Sequence, residues 1–80
     1  MTIRVLLFAS YADALGKSEM RLEVERGSVV RDVLRRVLEL PGAGSLPPRP
    51  LMAVNEEYAT LEHVVADGDE VAIIPPVAGG

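Results

Sequence analysis

The chain contains no cysteine. Disulfides and cysteine-based metal sites are therefore excluded as supports for a small core, and any sulfur chemistry cannot use a thiol of the chain's own. There is a single histidine, His63, with no nucleophile near it in sequence, so neither a catalytic triad nor a zinc site finds support. His63 reads as a solvated loop residue. No apolar run approaches the ~20 residues of a membrane-spanning helix, and no basic-then-apolar leader opens the chain, so a cytosolic protein is expected. Basic residues are also in short supply. Eight stand against twelve acidic ones, a net charge of −4, which argues against nucleic-acid binding through phosphates and suits basic protein partners instead. Lys17 is the only lysine.

What is present fits one small domain: 80 residues, 49% hydrophobic and 25% charged, a globular composition with no room for a second core. Residues 2–9 are rich in Ile, Val, Leu and Phe and predict a strand. Ile3, Val5 and Leu7 share one face, and Arg4, Leu6 and Phe8 share the other. Tyr11 to Leu15 predicts a short helical turn stopped by Gly16. Glu19 to Glu25 alternates, with Met20, Leu22 and Val24 inward and charges outward, and is the natural partner of the first strand. Ser28 is placed to cap a helix whose apolar face is Val30, Val33, Leu34, Val37 and Leu38, with Pro41 ending it. Pro41 to Pro50 predicts a loop. Short strands follow at Leu51–Val54 and around Tyr58, then a helical turn at Leu61–Val65, a tight turn at Asp67-Gly68-Asp69 and a last strand, Glu70 to Ile74. One helix on one face of a small mixed sheet is the economical arrangement for this order.

Few side chains offer chemistry. Asp67, Asp69 and Glu70 surround Gly68, but Asp-Gly is first of all turn chemistry and the spacing lacks the further oxygens of a calcium loop, so no metal is expected. Pro41-Gly42-Ala43-Gly44-Ser45 runs into more prolines and not into a helix, so it is no phosphate cradle. Arg35 and Arg36 read as a solvated helix face. No catalytic constellation emerges, and the chain is expected to act as a reagent or a binder. Strand alternation does make one demand. With Ile3, Val5, Leu7, Val71 and Ile73 inward, Phe8 and Ile74 point away from the helix and, with Tyr58, form an apolar patch. Either a protein partner or the proline-rich loop covers it.

The patch lies at the root of the most unusual stretch, Pro75-Pro76-Val77-Ala78-Gly79-Gly80. Two successive prolines end the last strand because neither can donate a ladder hydrogen bond. Beyond them the side chains are small or missing. Six extended residues reach roughly 20 Å, enough to thread a narrow channel in another protein, and glycine lets backbone pass where other residues clash. The division expected is a globular body, residues 1–74, and a flexible tail, 75–80, whose free carboxyl group on Gly80 is handed to an active site. A merely frayed end is the bland alternative.

The stretch Ala53-Val54-Asn55-Glu56-Glu57-Tyr58, the run from Asp67 to Gly80, and the opening Ile3-Arg4-Val5-Leu6-Leu7-Phe8-Ala9 with Ala14-Leu15-Gly16-Lys17 closely resemble the small, sulfur-carrier subunits of molybdopterin synthase, a branch of the ubiquitin-like sulfur carriers. The resemblance spans nearly the whole chain. It implies an α+β, β-grasp fold of about five strands with one main helix. It also implies that an activating enzyme adenylates Gly80 with ATP and that a sulfur donor converts it to a thiocarboxylate. The tail, Pro75 to Gly79, then threads into the large catalytic subunit and passes sulfur to cyclic pyranopterin monophosphate. No cofactor is expected on the chain itself. Phe8, Tyr58 and Ile74 fall where the family places apolar partner contacts, and a heterotetramer with the large subunit is implied. One departure is Ala12, where family members often carry arginine. Related carriers serve thiamine synthesis and tRNA thiolation, and ubiquitin-like modifiers are joined to lysines. An interaction module with an inert tail is a further alternative.

Overall fold

The computed structural model describes residues 1–47 and 49–76. The alternation of Ile3, Val5 and Leu7 builds β1 (Thr2–Leu7), with these three side chains fully or almost fully buried. It is followed by α1 (Ser10–Leu15), β2 (Glu19–Glu23), α2 (Val30–Leu38), a 3₁₀ turn at Ala43–Ser45, β3 (Leu51–Val54), β4 (Glu57–Tyr58) and β5 (Glu70–Ile74). The sheet runs β2-β1-β5-β3-β4. β1 and β5 pair parallel at its centre, and the other pairings are antiparallel. With α2 packed on one face, this is the β-grasp arrangement.

Register explains the core. Val5 lies opposite Met20 on β2 and Val71 on β5, and Val71 lies opposite Val54 on β3. Leu7, Ile73 and Met52 make the next row. Against these rows α2 lays Val30, Val33, Leu34 and Val37, all buried, while Leu38 is only half-buried. Each such side chain contributes ~1.5–3 kcal/mol of burial, so helix and sheet supply each other's main driving force.

The helix begins differently from the sequence expectation. Its N-cap is Val29, not Ser28, whose hydroxyl donates back to Glu25 O at 2.6 Å. The amides that every helix start leaves unpaired find other acceptors: Val29 N–H donates to Asp32 Oδ2 at 2.9 Å, Val30 N–H to His63 O at 2.9 Å and Arg31 N–H to Leu61 O at 2.9 Å. This also corrects the helical turn expected at Leu61–Val65. Carbonyls 61 and 63 serve α2, Val64 bridges to Val29, and the segment is a bound turn instead. At the other end α2 stops at Leu38, ahead of Pro41, which disfavours helical backbone in the residue before it.

The proline-rich segment 41–50 is more structured than a plain loop. Ala43 and Leu46 are buried in the core beneath α1 and α2. Gly42 has φ 94° and lies so close to α1 that a Cβ there would sit 2.6 Å from Ala14 O, which reserves the position for glycine. Tyr11, fully buried on α1, donates its hydroxyl hydrogen to Pro47 O. The segment therefore covers the helix side of the molecule.

Burial raises the Tyr11 pKa above the usual 10.0. The unfolded chain thus loses the phenolic proton first as pH rises, and this contribution to stability, complete below about pH 10, falls away as pH climbs toward the folded value. Tyr11→Phe is expected to lower stability near neutrality by about 1 kcal/mol, the usual worth of such a bond, and to flatten the alkaline loss. Urea unfolding of both proteins from neutral to strongly alkaline pH checks this, and parallel profiles would refute it.

Candidate functional site

The face of the sheet opposite α2 carries no second layer among the described residues, and register determines what it displays. Leu6 on β1, Ala72 on β5, Ala53 on β3 and Tyr58 on β4 stand in one row across four strands. The two central alanines make a low floor between larger neighbours. Phe8, Ile74 and Tyr58 rise around it, and the resulting groove measures about 430 Å³. Phe8 is 45% exposed and Tyr58 77% exposed. Of the two ways the sequence left for covering these side chains, the described part of the proline-rich loop is not the one: none of its residues lines the groove, and Ala43 and Leu46 turn into the core instead.

Local structure explains how each wall is held. The Phe8 N–H donates to Ile73 O at 3.3 Å, which extends the β1–β5 pairing and sets Phe8 beside Ile74. Immediately after it, Ala9 has φ 48° and ψ −123°, a conformation that a side chain disfavours, and Tyr11 N–H closes the turn onto Phe8 O at 3.1 Å. Tyr58 is delivered by the two-residue turn Asn55-Glu56, with φ 50° and 72°, the pair of positive angles that a tight hairpin needs. Asn55 is also a clasp. Its N–H donates to Glu70 O at 2.8 Å, its Nδ2 to Asp69 Oδ1 at 3.0 Å, and its Oδ1 accepts from Glu70 N–H at 3.0 Å.

The acidic turn serves this clasp. Asp67 Oδ1 accepts from Thr2 N–H at 2.8 Å, and Asp69 Oδ2 accepts from Ala66 N–H at 2.7 Å. At the acidic end of the groove, Glu70 meets Arg4 at 3.4 Å, while Glu56 pairs with no cation among the described residues. His63 is exposed, and its backbone accepts from Val30 N–H and donates to Thr60 O. Arg35 and Arg36 lie on the solvent face of α2, and Ala12 packs against the core from α1.

Of the residues singled out from sequence, Phe8, Tyr58 and Ile74 line one groove, and Pro75 and Pro76 leave β5 directly from its rim. Val77, Ala78, Gly79 and Gly80 lie outside the described residues. Sequence reasoning missed the floor, Ala53 and Ala72. The available signal was their outward position in the alternation of two central strands, where alanine is an unusually small occupant.

The sequence profile of the ThiS family matches residues 5–80. The chain belongs to the ThiS family. Within it, the chain is 38% identical over 79 residues to the molybdopterin synthase sulfur carrier subunit of Arabidopsis thaliana, covering 98% of this chain and 82% of that one. The crystal structure of small archaeal modifier protein 1 from Haloferax volcanii is similar to this ThiS-family chain with a TM-score of 0.77 and 30% identity, over 95% of this chain and 98% of that one. A chain from the complex of subunits 1 and 2 of molybdopterin-converting factor of Helicobacter pylori shares the fold, with a TM-score of 0.72 over 100% of both chains at 20% identity.

Replacing Asn55 by alanine removes both side-chain bonds and leaves a Cβ residue at φ 50° without compensation. A loss of about 1–3 kcal/mol is expected. For a domain of this size that means a melting point lower by ~4–8 °C per kcal/mol. Asn55→Gly, which keeps the angle and loses only the clasp, should fall less. Thermal unfolding of the three proteins tests the ranking, and equal melting points would remove the clasp from the account.

Proposed function

We propose that this chain is the sulfur carrier of a molybdopterin synthase. One observation carries the reading: an open apolar groove stands at the foot of a Pro-Pro-Val-Ala-Gly-Gly tail, in a chain alike over 98% of its length to a named sulfur carrier subunit. On this reading residues 1–74 are the body and 75–80 the tail, and Gly80 supplies the reacting carboxyl group. A carboxylate is ionised at neutral pH and is a poor electrophile. An activating enzyme must therefore first join it to the AMP of ATP as a mixed anhydride, releasing pyrophosphate. A sulfur donor then displaces AMP and leaves a thiocarboxylate. ATP belongs to the activating enzyme, and the chain holds no cofactor of its own.

The lack of cysteine suits this role, since the sulfur rides on the terminal carbonyl and no competing thiol intercepts the acyl group. Pro75 and Pro76 stiffen the foot of the tail and reduce the entropy lost when a partner grips it. Val77, Ala78 and Gly79 keep it thin enough to enter the large subunit's active site. There Gly80 gives its sulfur to cyclic pyranopterin monophosphate. The chain is thus the donating, non-catalytic subunit. Phe8, Tyr58 and Ile74 form the apolar anchor for the large subunit and, in an earlier step, for the activating enzyme, and two small and two large subunits make the assembly. The cytosol, where ATP and the pterin precursor are available, is the proposed compartment.

A second reading has one observation in its favour, the 30% identity with a protein named as a modifier. On that reading the activated Gly80 is transferred to lysines of other proteins.

The deciding experiment uses the chain with a thiocarboxylate at Gly80, the large subunit and cyclic pyranopterin monophosphate. Molybdopterin should form, and none should form from the ordinary carboxylate. Absence of product beside an active control carrier would defeat the molybdopterin assignment. Tyr58→Ala and Phe8→Ala are each expected to weaken binding to the large subunit by more than tenfold, the ~2 kcal/mol of a buried anchor, without altering the stability by more than the ~0.5 kcal/mol usual at exposed sites. Titration calorimetry alongside thermal unfolding measures both, and unchanged affinity would remove the groove from the interface.

A further inference from the structure

Register divides the open face into three rows of different chemistry. At the end where β5 finishes, Phe8, Ile74 and Leu51 stand side by side, with Phe8 and Leu51 about half exposed and no charge among them. The middle row is the alanine floor between Leu6 and Tyr58. One step farther from the foot of the tail lie Arg4, Glu70 and the turn Asn55-Glu56. Neighbouring rows on one face are two residues apart, so the surface passes from wholly apolar to charged over roughly 14 Å.

The charges of the last row are unevenly answered. Arg4 sits between Glu19 and Glu70, 3.4 Å from each. Glu56 lines the groove with Tyr58 and makes no ion pair among the described residues. Arg4 is two strands away from the end of β3, about 10 Å at ~4.8 Å per strand. That is farther than an exposed charge acts through physiological salt, ~8 Å. The Asn55 side chain is spent on Asp69 and Glu70. The neighbouring Glu57 is equally exposed and equally unpaired among the described residues. Alternation turns it, with Val54 opposite, to the helix side of the sheet, and it does not line the groove. Among the described residues, only Glu56 brings an unanswered negative charge to this apolar groove.

We propose that Glu56 takes a lysine or arginine of the large subunit, carried on an element whose apolar side chains cover the alanine floor and the row of Phe8, Ile74 and Leu51. The inference rests on the carrier reading of the groove, and charge complementarity selects the occupant. A wholly apolar element would strip water from the Glu56 carboxylate with nothing in return, and an acidic one would add repulsion. The pair also fixes direction. Reversing the element would place its cation over Phe8, Ile74 and Leu51, where no carboxylate meets it and its desolvation goes uncompensated. In the favoured direction the partner's apolar end lies beside Ile74, where β5 finishes and Pro75 begins. Glu56 is thus a positioning and specificity residue of the interface and takes no part in the sulfur transfer itself.

The test compares the full chain with Glu56→Gln, Glu56→Arg and Glu57→Arg by titrating each with the large subunit, at low salt and at about 1 M, where screening shortens to ~3 Å. Thermal unfolding checks that all four are folded; the φ of 72° at position 56 suits arginine and glutamine no less than glutamate. At low salt Glu56→Gln should weaken binding about two- to fivefold. Glu56→Arg, which sets two cations against each other, should weaken it by more than about tenfold. Glu57→Arg makes the same change in net charge one residue away and should stay within about twofold of the wild type. High salt should remove most of each Glu56 loss. Equal losses for Glu56→Arg and Glu57→Arg would reduce the effect to net charge. A loss that salt does not diminish would make it one of shape, and undiminished affinity of Glu56→Arg would leave the acidic end unused. Each of these overturns the inference and leaves the carrier reading standing. A wild-type chain that fails to bind defeats the carrier reading, and the inference with it.

Discussion

The structure depends on the parallel pairing of its first and last strands. Two parallel strands cannot be joined by a hairpin, so everything between β1 and β5 has to return the chain to its starting end. The helix α2 is part of that return and can cover only one face of the sheet. The same pairing fixes where the chain leaves the body. β5 runs alongside β1 and finishes beside Phe8, so Pro75 emerges at the rim of the uncovered face. The open groove and the position of the tail's foot are therefore two results of one topological choice.

The open face is made usable by its floor. Had Ala53 and Ala72 been large, the row from Leu6 to Tyr58 would be flat, and a partner could only slide across it. With alanine at both central positions, the larger side chains at either end stand as walls and a protruding apolar group has somewhere to go. Covering Phe8 and Tyr58 with such a group would remove apolar surface from water at ~25 cal/mol per Å², from which the cost of association is subtracted. The acidic residues at one end, Glu56 and Glu70, add orientation more than strength, since exposed ion pairs such as Arg4–Glu70 contribute little in water.

Much of this was legible beforehand, because period-two alternation is a local property. Ile3, Val5 and Leu7 declared which side of β1 was inward, and Phe8 followed as outward without any knowledge of its neighbours. The 3.6-residue period likewise identified the buried face of α2. What was not legible was settled by hydrogen bonds between distant segments. Ser28 looks like a cap from its own neighbourhood, but the amides at the start of α2 find carbonyls 61 and 63 instead, which also prevents residues 61–65 from coiling. The alanine floor depends on register between β3 and β5, and register is invisible in either strand alone. The covering of the core by Ala43 and Leu46 escaped notice for a related reason: in a segment crowded with proline and glycine, no period announces which side chains turn inward.

A sheet with an uncovered apolar face is also a hazard, and the chain distributes its protection unevenly. Along the β2 edge Glu19, Arg21 and Glu23 place charges of both signs, and the opposite edge is closed by β4, only two residues long. Short and charged edge strands obstruct the backbone pairing through which sheets aggregate. On the open face Arg4 and Glu70 stand at the end away from the foot of β5, whereas Phe8, Leu51 and Tyr58 are left exposed, although each could be made polar at little cost to the fold. Had the open face been a by-product of small size, charges would serve equally well beside Phe8 and Ile74. The charges stand along β2 and at the end of the face away from Phe8 and Ile74, which hinders unspecific strand addition while leaving the apolar end of the groove free, as a surface kept for a shaped partner would require.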